Sequence, residues 1–275
     1  MGIRVAAGVL AGTLLVALLV AHLVAPGPAD FYIEPATGMV LVAVRPGSFM
    51  MGSPESEPGR NDDEVLHRVV ISRLFYIGQH EVTQAEWTKV MGSNPSHFSG
   101  CEKCPVEQVD FYQVNEFLSR INANNSAMRF RLPTEAEWEY ACRAGGSTPF
   151  GTGTSLTTAQ ANFDGRYQAA SAEDGAAYDK TVPVGKFPPN AWGLHDMHGN
   201  VWEWTNDWYG PYEPRRDTDP RGSDTGPKRV IRGGSWHFDA DSARCGLRYT
   251  HSPQDKGFSL GFRVVAEPRP ARPSR

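Results

Sequence analysis

The chain has 275 residues, of which 40% are hydrophobic and 21% are charged, and this composition is typical of an ordinary globular protein. The formal net charge of -4 and the pI near 6.1 indicate no basic surface, so we exclude nucleic acid as the main partner. The 28 glycines and 21 prolines predict many turns and few long helices.

Residues 1–30 predict an export segment. Arg4 precedes a largely apolar run over residues 5–24, which Ala25 and Pro26 follow. A run of about 20 residues is long enough to span a bilayer, and proline makes a poor cleavage site. We therefore favour an anchor in the inner membrane over a cleaved signal peptide, with a periplasmic or other extracytoplasmic location for the rest of the chain.

The folded domain is expected over residues 31–267. Its first elements are predicted to be a β-hairpin, in which strands Gly38–Val44 and Ser48–Gly52 are joined by a turn at Pro46-Gly47. The Pro- and Arg-rich tail at residues 268–275 is predicted to be unstructured.

Three helix starts follow from local sequence rules. Thr83 with Glu86, and Thr134 with Glu137, match the capping box, and Asp110 is a plausible N-cap between them. The helix after Asp110 has an apolar face, formed by Val114, Phe117, Leu118 and Ile121. From Gly145 to Thr181 no period persists, and this region is predicted to be loop.

An exported chain can form disulfides that a cytosolic chain would lose. Cys101 and Cys104 form a Cys-x-x-Cys, which predicts a local disulfide, with a redox pair or half of a zinc site as alternatives. A bridge between Cys142 and Cys245 would close a loop of about a hundred residues.

The segment Gly193–Trp204, which we call the central turn, combines tight glycine turns with two carboxylates. Asp196 and Glu203 could supply oxygen ligands to a hard cation, and the competing interpretation is a buried turn in which they accept backbone N–H groups. A further alternative is an iron site, because His195 and His198 flank Asp196.

Several motifs occur in a fixed order along the chain. They are Arg131–Cys142, Phe187–Leu194, Gly199–Trp204, Gly233–Trp236 and Leu260–Arg263. With these motifs the chain resembles the formylglycine-generating enzyme (sulfatase-modifying factor) family from about Gly38 to Ala266. The resemblance implies an α+β domain with a C-type-lectin-like topology, little regular secondary structure, structural calcium, and a disulfide between Cys142 and Cys245.

The resemblance implies two calcium sites. The first would use the side chains of Asp196 and Glu203 and the carbonyls of Gly199 and Val201, an oxygen set that suits a hard cation. The second is doubtful, because Ala176 stands where the family has an aspartate, and Asp174 or Asp179 would have to replace it. The remaining ligands implied for the second site are Asn162, Phe163 and Tyr178.

Copper is not expected. The family's oxidising enzymes hold two cysteines shortly after Gly-Gly-Ser, and these bind Cu(I), which prefers thiolates. In this chain Phe238 takes the place of the first cysteine, and the segment contains no second one.

Two functions remain open. In the first, the domain is a divergent oxidoreductase or maturation factor, similar to the periplasmic members that act in siderophore (pyoverdine) maturation without those cysteines. The candidate acid-base residues, each of which could instead be an ordinary loop residue, are Ser235, His237, Asp239 and Asp241. In the second, the domain is a binding or sensor module of an envelope signalling or secretion system. The partner would be an envelope protein or a small-molecule substrate.

Overall fold

A computed structural model describes residues 30–167, 175, 177–213 and 217–269. Within these residues the chain forms three α-helices and eleven β-strands. Their bounds in chain order are β1 (Phe31–Ile33), β2 (Val40–Val44), β3 (Gly47–Met51), β4 (His67–Ile71), β5 (Phe75–Gly78), α1 (Gln84–Met91), α2 (Phe111–Asn124), β6 (Met128–Arg131), α3 (Glu135–Arg143), β7 (Trp202–Trp208), β8 (Arg229–Arg232), β9 (Tyr249–His251), β10 (Leu260–Gly261) and β11 (Val265–Pro268).

The strands form three sheets. One has five strands in the order β1-β2-β5-β11-β6, one has four in the order β10-β7-β8-β9, and one is the pair β3-β4. All pairings within them are antiparallel except that of β10 with β7. Between α3 and β7 the described residues form turns and isolated bridges. This is the predicted loop-rich α+β architecture.

The predicted helix starts are present. The Thr83 and Thr134 side chains each accept the N–H of the glutamate three residues later, and both capping boxes are complete. Asp110 caps α2 by accepting the Gln113 N–H at 2.8 Å. These caps satisfy N–H groups that a helix cannot bond internally. The predicted apolar face of α2 is buried in a core shared with Trp202 and Trp204 of β7.

The predicted hairpin is wrong in its pairing. β2 pairs with β1 on one side and with β5 on the other, so Val42 lies opposite both Phe31 and Ile77. No edge of β2 remains for the next strand. Beyond Pro46 the chain therefore leaves the five-stranded sheet, and β3 pairs with β4 instead.

Both predicted disulfides are present. Cys142 of α3 is joined to Cys245, and Cys101 to Cys104. The two bonds indicate an oxidising, extracytoplasmic environment for the domain.

The predicted export segment lies outside the described residues apart from residue 30. In the described part, no helix is long and apolar enough to cross a membrane. At the other end, β11 extends to Pro268, and the Arg269 N–H donates to the Ala127 carbonyl at 2.8 Å. The rest of the predicted tail, residues 270–275, is also outside the described part.

Candidate functional site

The segment after β8, Gly233–Arg244, is called here the Gly-Gly loop. Gly233 and Gly234 have φ values of +98° and +74°, a region that side chains disfavour. A Cβ atom on Gly233 would lie 3.1 Å from the Trp138 ring, and one on Gly234 would lie 3.0 Å from the Ala243 Cα. Close approach and backbone conformation therefore both require the two glycines.

The Gly-Gly loop brings Ser235 and His237 together. Ser235 is buried, and its Oγ lies 3.1 Å from the Nδ1 of His237. Burial lowers the pKa of the half-buried His237, and the nearby Asp164 carboxylate acts in the opposite direction. The imidazole is therefore neutral at pH 7 and can accept a proton.

Aromatic rings surround His237. Its ring centroid lies 4.7 Å from that of Trp236, 4.6 Å from Phe238 and 5.1 Å from Phe258. Phe258 and Tyr249 are 41% and 45% exposed. We call these five residues the aromatic cluster. It offers a flat ligand several ring faces beside a neutral base.

A neighbouring loop forms one wall of this cluster. Phe98 packs edge-on against Trp236 at 5.5 Å. The buried Glu107 carboxylate accepts the N–H groups of His97 and Phe98 at 3.0 and 2.8 Å. The Cys101–Cys104 disulfide closes the turn that follows. Sequence reasoning missed this wall, because nothing local links Phe98 to Trp236.

Phe238 stands where the resemblance expects the first copper-binding cysteine. Its ring packs edge-on against Trp202 at 5.4 Å and lies 6.1 Å from Tyr249. All four cysteines of the chain are in disulfides. The loop therefore presents no thiolate to Cu(I).

The two other acid-base candidates make structural contacts. Asp239 accepts the N–H and the hydroxyl of Ser242 at 2.9 and 2.7 Å, which holds the short 3₁₀ helix Asp241–Ala243. Asp241 lies against Gly59, where a Cβ atom would come within 2.9 Å of its Cγ. Of the four candidates, Ser235 and His237 are hydrogen-bonded to each other.

In the central turn, Asp196 has one unsatisfied oxygen. Its Oδ2 accepts the Gly185 N–H at 2.6 Å, whereas its buried Oδ1 has no hydrogen-bond partner among the described residues. Burial raises the pKa of Asp196, and the Gly185 N–H opposes that shift. An unpaired buried carboxylate oxygen is a group that could serve as a ligand to a hard cation.

Glu203, the second implied ligand, is already paired. Arg263 donates to both of its oxygens at 2.7 Å, and the Trp138 indole N–H donates to Oε2 at 2.7 Å. All three residues are buried. A cation bound to Glu203 would therefore have to share it with Arg263.

Sequence reasoning missed a third carboxylate, Glu81. It is fully buried, its Oε1 accepts a hydrogen bond from Asn200 at 3.1 Å, and its Oε2 has no partner among the described residues. Burial, followed by the nearby charge of Asp196, raises the pKa of Glu81 well above its usual value. Together with Glu203, these two carboxyl groups act electrostatically on the buried Arg263 guanidinium. Among the described residues the three carboxyl groups do not converge on one point as the ligands of a bound metal would.

The second implied calcium site is less complete. The Asn162 side-chain oxygen is buried and has no hydrogen-bond partner in the described part of the chain, and its amide donates to the carbonyl of Lys180 at 3.0 Å. Phe163 is buried and Tyr178 is 39% exposed. Asp179 is paired with Arg166 at 2.6 Å. Asp174 and Ala176 lie outside the described residues.

The histidines of the central turn do not form an iron site in this arrangement. The Nε2 of His198 accepts the Gly151 N–H at 3.0 Å, so Nδ1 carries the proton and donates to the Ala243 carbonyl at 2.8 Å. Both nitrogens are used. His195 places its Nδ1 2.8 Å from the Phe187 carbonyl.

Comparison with known proteins identifies the family. The model of the sulfatase-modifying factor enzyme 1-like domain matches residues 30–268. The chain belongs to the formylglycine-generating enzyme (sulfatase-modifying factor) family. The mouse formylglycine-generating enzyme is 33% identical over 78% of this chain and 60% of its own length.

Two further family relatives differ in organisation. The structure of PvdO from Pseudomonas aeruginosa matches with a TM-score of 0.76 and 32% identity, covering 88% of this chain and all of PvdO. A serine/threonine-protein kinase, pkn1 of Chlamydia caviae, is 30% identical over 82% of this chain. The chain spans only 37% of the length of that kinase. The domain thus occurs both alone and within longer proteins.

Proposed function

We propose that this protein is an extracytoplasmic maturation factor in which His237 acts as a general base on a ring-bearing substrate, without copper-thiolate chemistry. One observation carries the proposal. A neutral imidazole, bonded to buried Ser235, lies among partly exposed aromatic rings at the loop where the family's oxidising enzymes hold copper. The similarity to PvdO over its whole length supports a family branch that works as a single domain.

The aromatic cluster favours a flat substrate. Ring faces on Trp236 and Phe258 can stack on a catechol or a fused ring, and the substrate's acidic proton would then face His237. In a two-electron oxidation the substrate loses two hydrogens. His237 takes one as a proton, and the other leaves with the electron pair to dioxygen. The proton held by His237 then passes to the reduced oxygen, which gives hydrogen peroxide and restores the neutral imidazole.

The rest of the protein would serve this site. We propose that calcium in the central turn is structural, because Asp196 and Glu81 have unpaired buried oxygens. We also propose a periplasmic location with residues 5–24 as the membrane anchor, based on their apolar character.

The test is turnover of a catechol by the full-length protein, measured as oxygen uptake and peroxide formation. Turnover should not require added copper. His237→Gln should lower the rate at least about a hundredfold, because general bases contribute roughly 10²–10⁴. His67→Gln is the matched control, since His67 lies on β4 outside the aromatic cluster, with its Nδ1 2.8 Å from the Val65 carbonyl and its ring against Tyr212. Equal rates in the His237 variant and the wild type would refute the proposal.

A second function has its own support. In the Chlamydia caviae kinase the similar region is part of a much longer protein, which is the arrangement of a binding or sensor module. Under this hypothesis the catechol would bind without turnover. Binding measured by calorimetry would weaken in Trp236→Ala and would be unchanged in His237→Gln.

A further inference from the structure

A groove separate from the aromatic cluster lies between β6, α2 and the turn that joins β4 to β5. Its volume is about 580 Å³, which is in the range of ligand sites. Apolar side chains including Phe75, Leu118 and Leu132 line part of it. We call it the arginine groove, because Arg73, Arg129, Arg131 and Arg221 all line it.

Within the described part of the chain, three of these arginines have no carboxylate partner. Arg73, Arg129 and Arg221 are exposed, and no carboxylate of the described residues pairs with them. Arg131 differs, because it bonds both Glu137 and Glu267.

The carboxylates that line the groove are occupied. Glu137 and Glu267 are bonded by Arg131, even though Glu267 lies opposite Arg129 in the β6-β11 register. Asp219 accepts the N–H and the hydroxyl of Ser72. The charged groups that remain available to a ligand in this groove are therefore guanidinium N–H donors.

The arginines are held on fixed backbone. The segment before Arg221 docks on β4, where Val70 donates to the Asp217 carbonyl at 2.6 Å and accepts the Asp219 N–H at 2.8 Å. The Ser72–Asp219 contact then holds Arg73 and Arg221 on the same wall. Arg129 extends from the edge strand β6. Guanidinium groups on a fixed frame suit oxyanions, which they bond in bidentate fashion.

We infer that the arginine groove is a binding site for a ligand that carries phosphate groups. The ligand is either a soluble phosphate compound or a phospholipid headgroup, which share the same chemistry. This site shares no residues with the aromatic cluster, so its test does not depend on the proposed catalytic function.

The experiment uses full-length protein with two probes. Inorganic pyrophosphate is titrated by calorimetry, and flotation compares phosphatidylglycerol vesicles with phosphatidylcholine vesicles. Each of three single variants should weaken pyrophosphate binding, or reduce the preference for phosphatidylglycerol, by about tenfold. The variants are Arg73→Gln, Arg129→Gln and Arg221→Gln. Arg68→Gln is the matched control, because Arg68 is an exposed arginine of β4 outside the groove.

The two probes separate the sources of phosphate. Arginine-dependent binding of pyrophosphate alone supports a soluble ligand, and an arginine-dependent preference for phosphatidylglycerol alone supports a lipid headgroup. No binding of either probe, or equal losses in Arg68→Gln and Arg129→Gln, would overturn the inference. Arg129→Lys is a second control for misfolding, because lysine keeps the charge but cannot bond a phosphate in bidentate geometry.

Discussion

Replacing Glu203 by glutamine separates its two roles, as the partner of Arg263 and as a calcium ligand. Both guanidinium-carboxylate bonds are 2.7 Å long, and both side chains are buried. Glutamine removes the charge that faces Arg263 and leaves neutral acceptors there, namely its own amide oxygen and the carbonyls of Gly78, His195 and Asp196. Removing one partner of a buried pair costs about 3–5 kcal/mol, a large share of a domain stability of about 5–15 kcal/mol.

The assay is urea unfolding with and without a calcium chelator. In chelator, Glu203→Gln should still lose about 3–5 kcal/mol, because Arg263 loses its carboxylate partner whether or not calcium is present. Glu203→Gln combined with Arg263→Met should regain part of that loss, because it removes both buried charges.

Asp196→Asn is the matched comparison. Its Oδ1 has no partner among the described residues, so replacing it in chelator removes an unsatisfied charge and should cost little. It should, however, abolish the stabilisation that calcium gives to the wild type. If Glu203→Gln in chelator is as stable as the wild type, the Arg263 pair does not stabilise this fold and the reasoning is refuted.

Three further predictions test other parts of the molecule. Replacing Cys142 and Cys245 by alanine should lower the free energy of unfolding by about 4–5 kcal/mol, because their bridge spans 103 residues, and a loss below about 1 kcal/mol in urea unfolding would contradict this. Burial lowers the pKa of His198 to about 4 from its ordinary 6.5, so unfolding takes up a proton between these values. Stability should fall by up to about 3 kcal/mol from pH 6.5 to pH 4, and a pH series of urea midpoints in which His198→Gln keeps the full slope would exclude this cause. With copper and a cysteine-containing sulfatase peptide, the full-length protein should yield no formylglycine by mass spectrometry, because Phe238 replaces a thiolate, and detection of formylglycine would overturn that expectation.

The sequence predicted features that depend on local rules. Thr83 and Thr134 begin helices because a capping box needs residues only three apart, and the structure contains both. The Cys101–Cys104 disulfide is similarly local. Family motifs added what spacing alone could not, namely the pairing of Cys142 with Cys245.

The sequence could not predict which side chains pair with each other when they are far apart along the chain. Glu203 was expected to bind calcium, and nothing near it indicated that Arg263, 60 residues away, would bond both of its oxygens. The same holds for Glu81, which meets Asn200 across 119 residues. Charge pairing inside a core is a property of the whole fold, so these contacts were visible only in three dimensions.

The change at Phe238 alters the kind of ligand that the Gly-Gly loop can hold. A cysteine there would offer a soft metal ligand, whereas the phenylalanine ring packs on Trp202 and stands beside His237. The scaffold beneath it is closely packed, since Gly233 lies against the Trp138 ring and the Trp138 indole N–H donates to Glu203. Under the proposed function, this loop would therefore present an imidazole rather than a thiolate to its ligand, and His237 would be the group that acts on it.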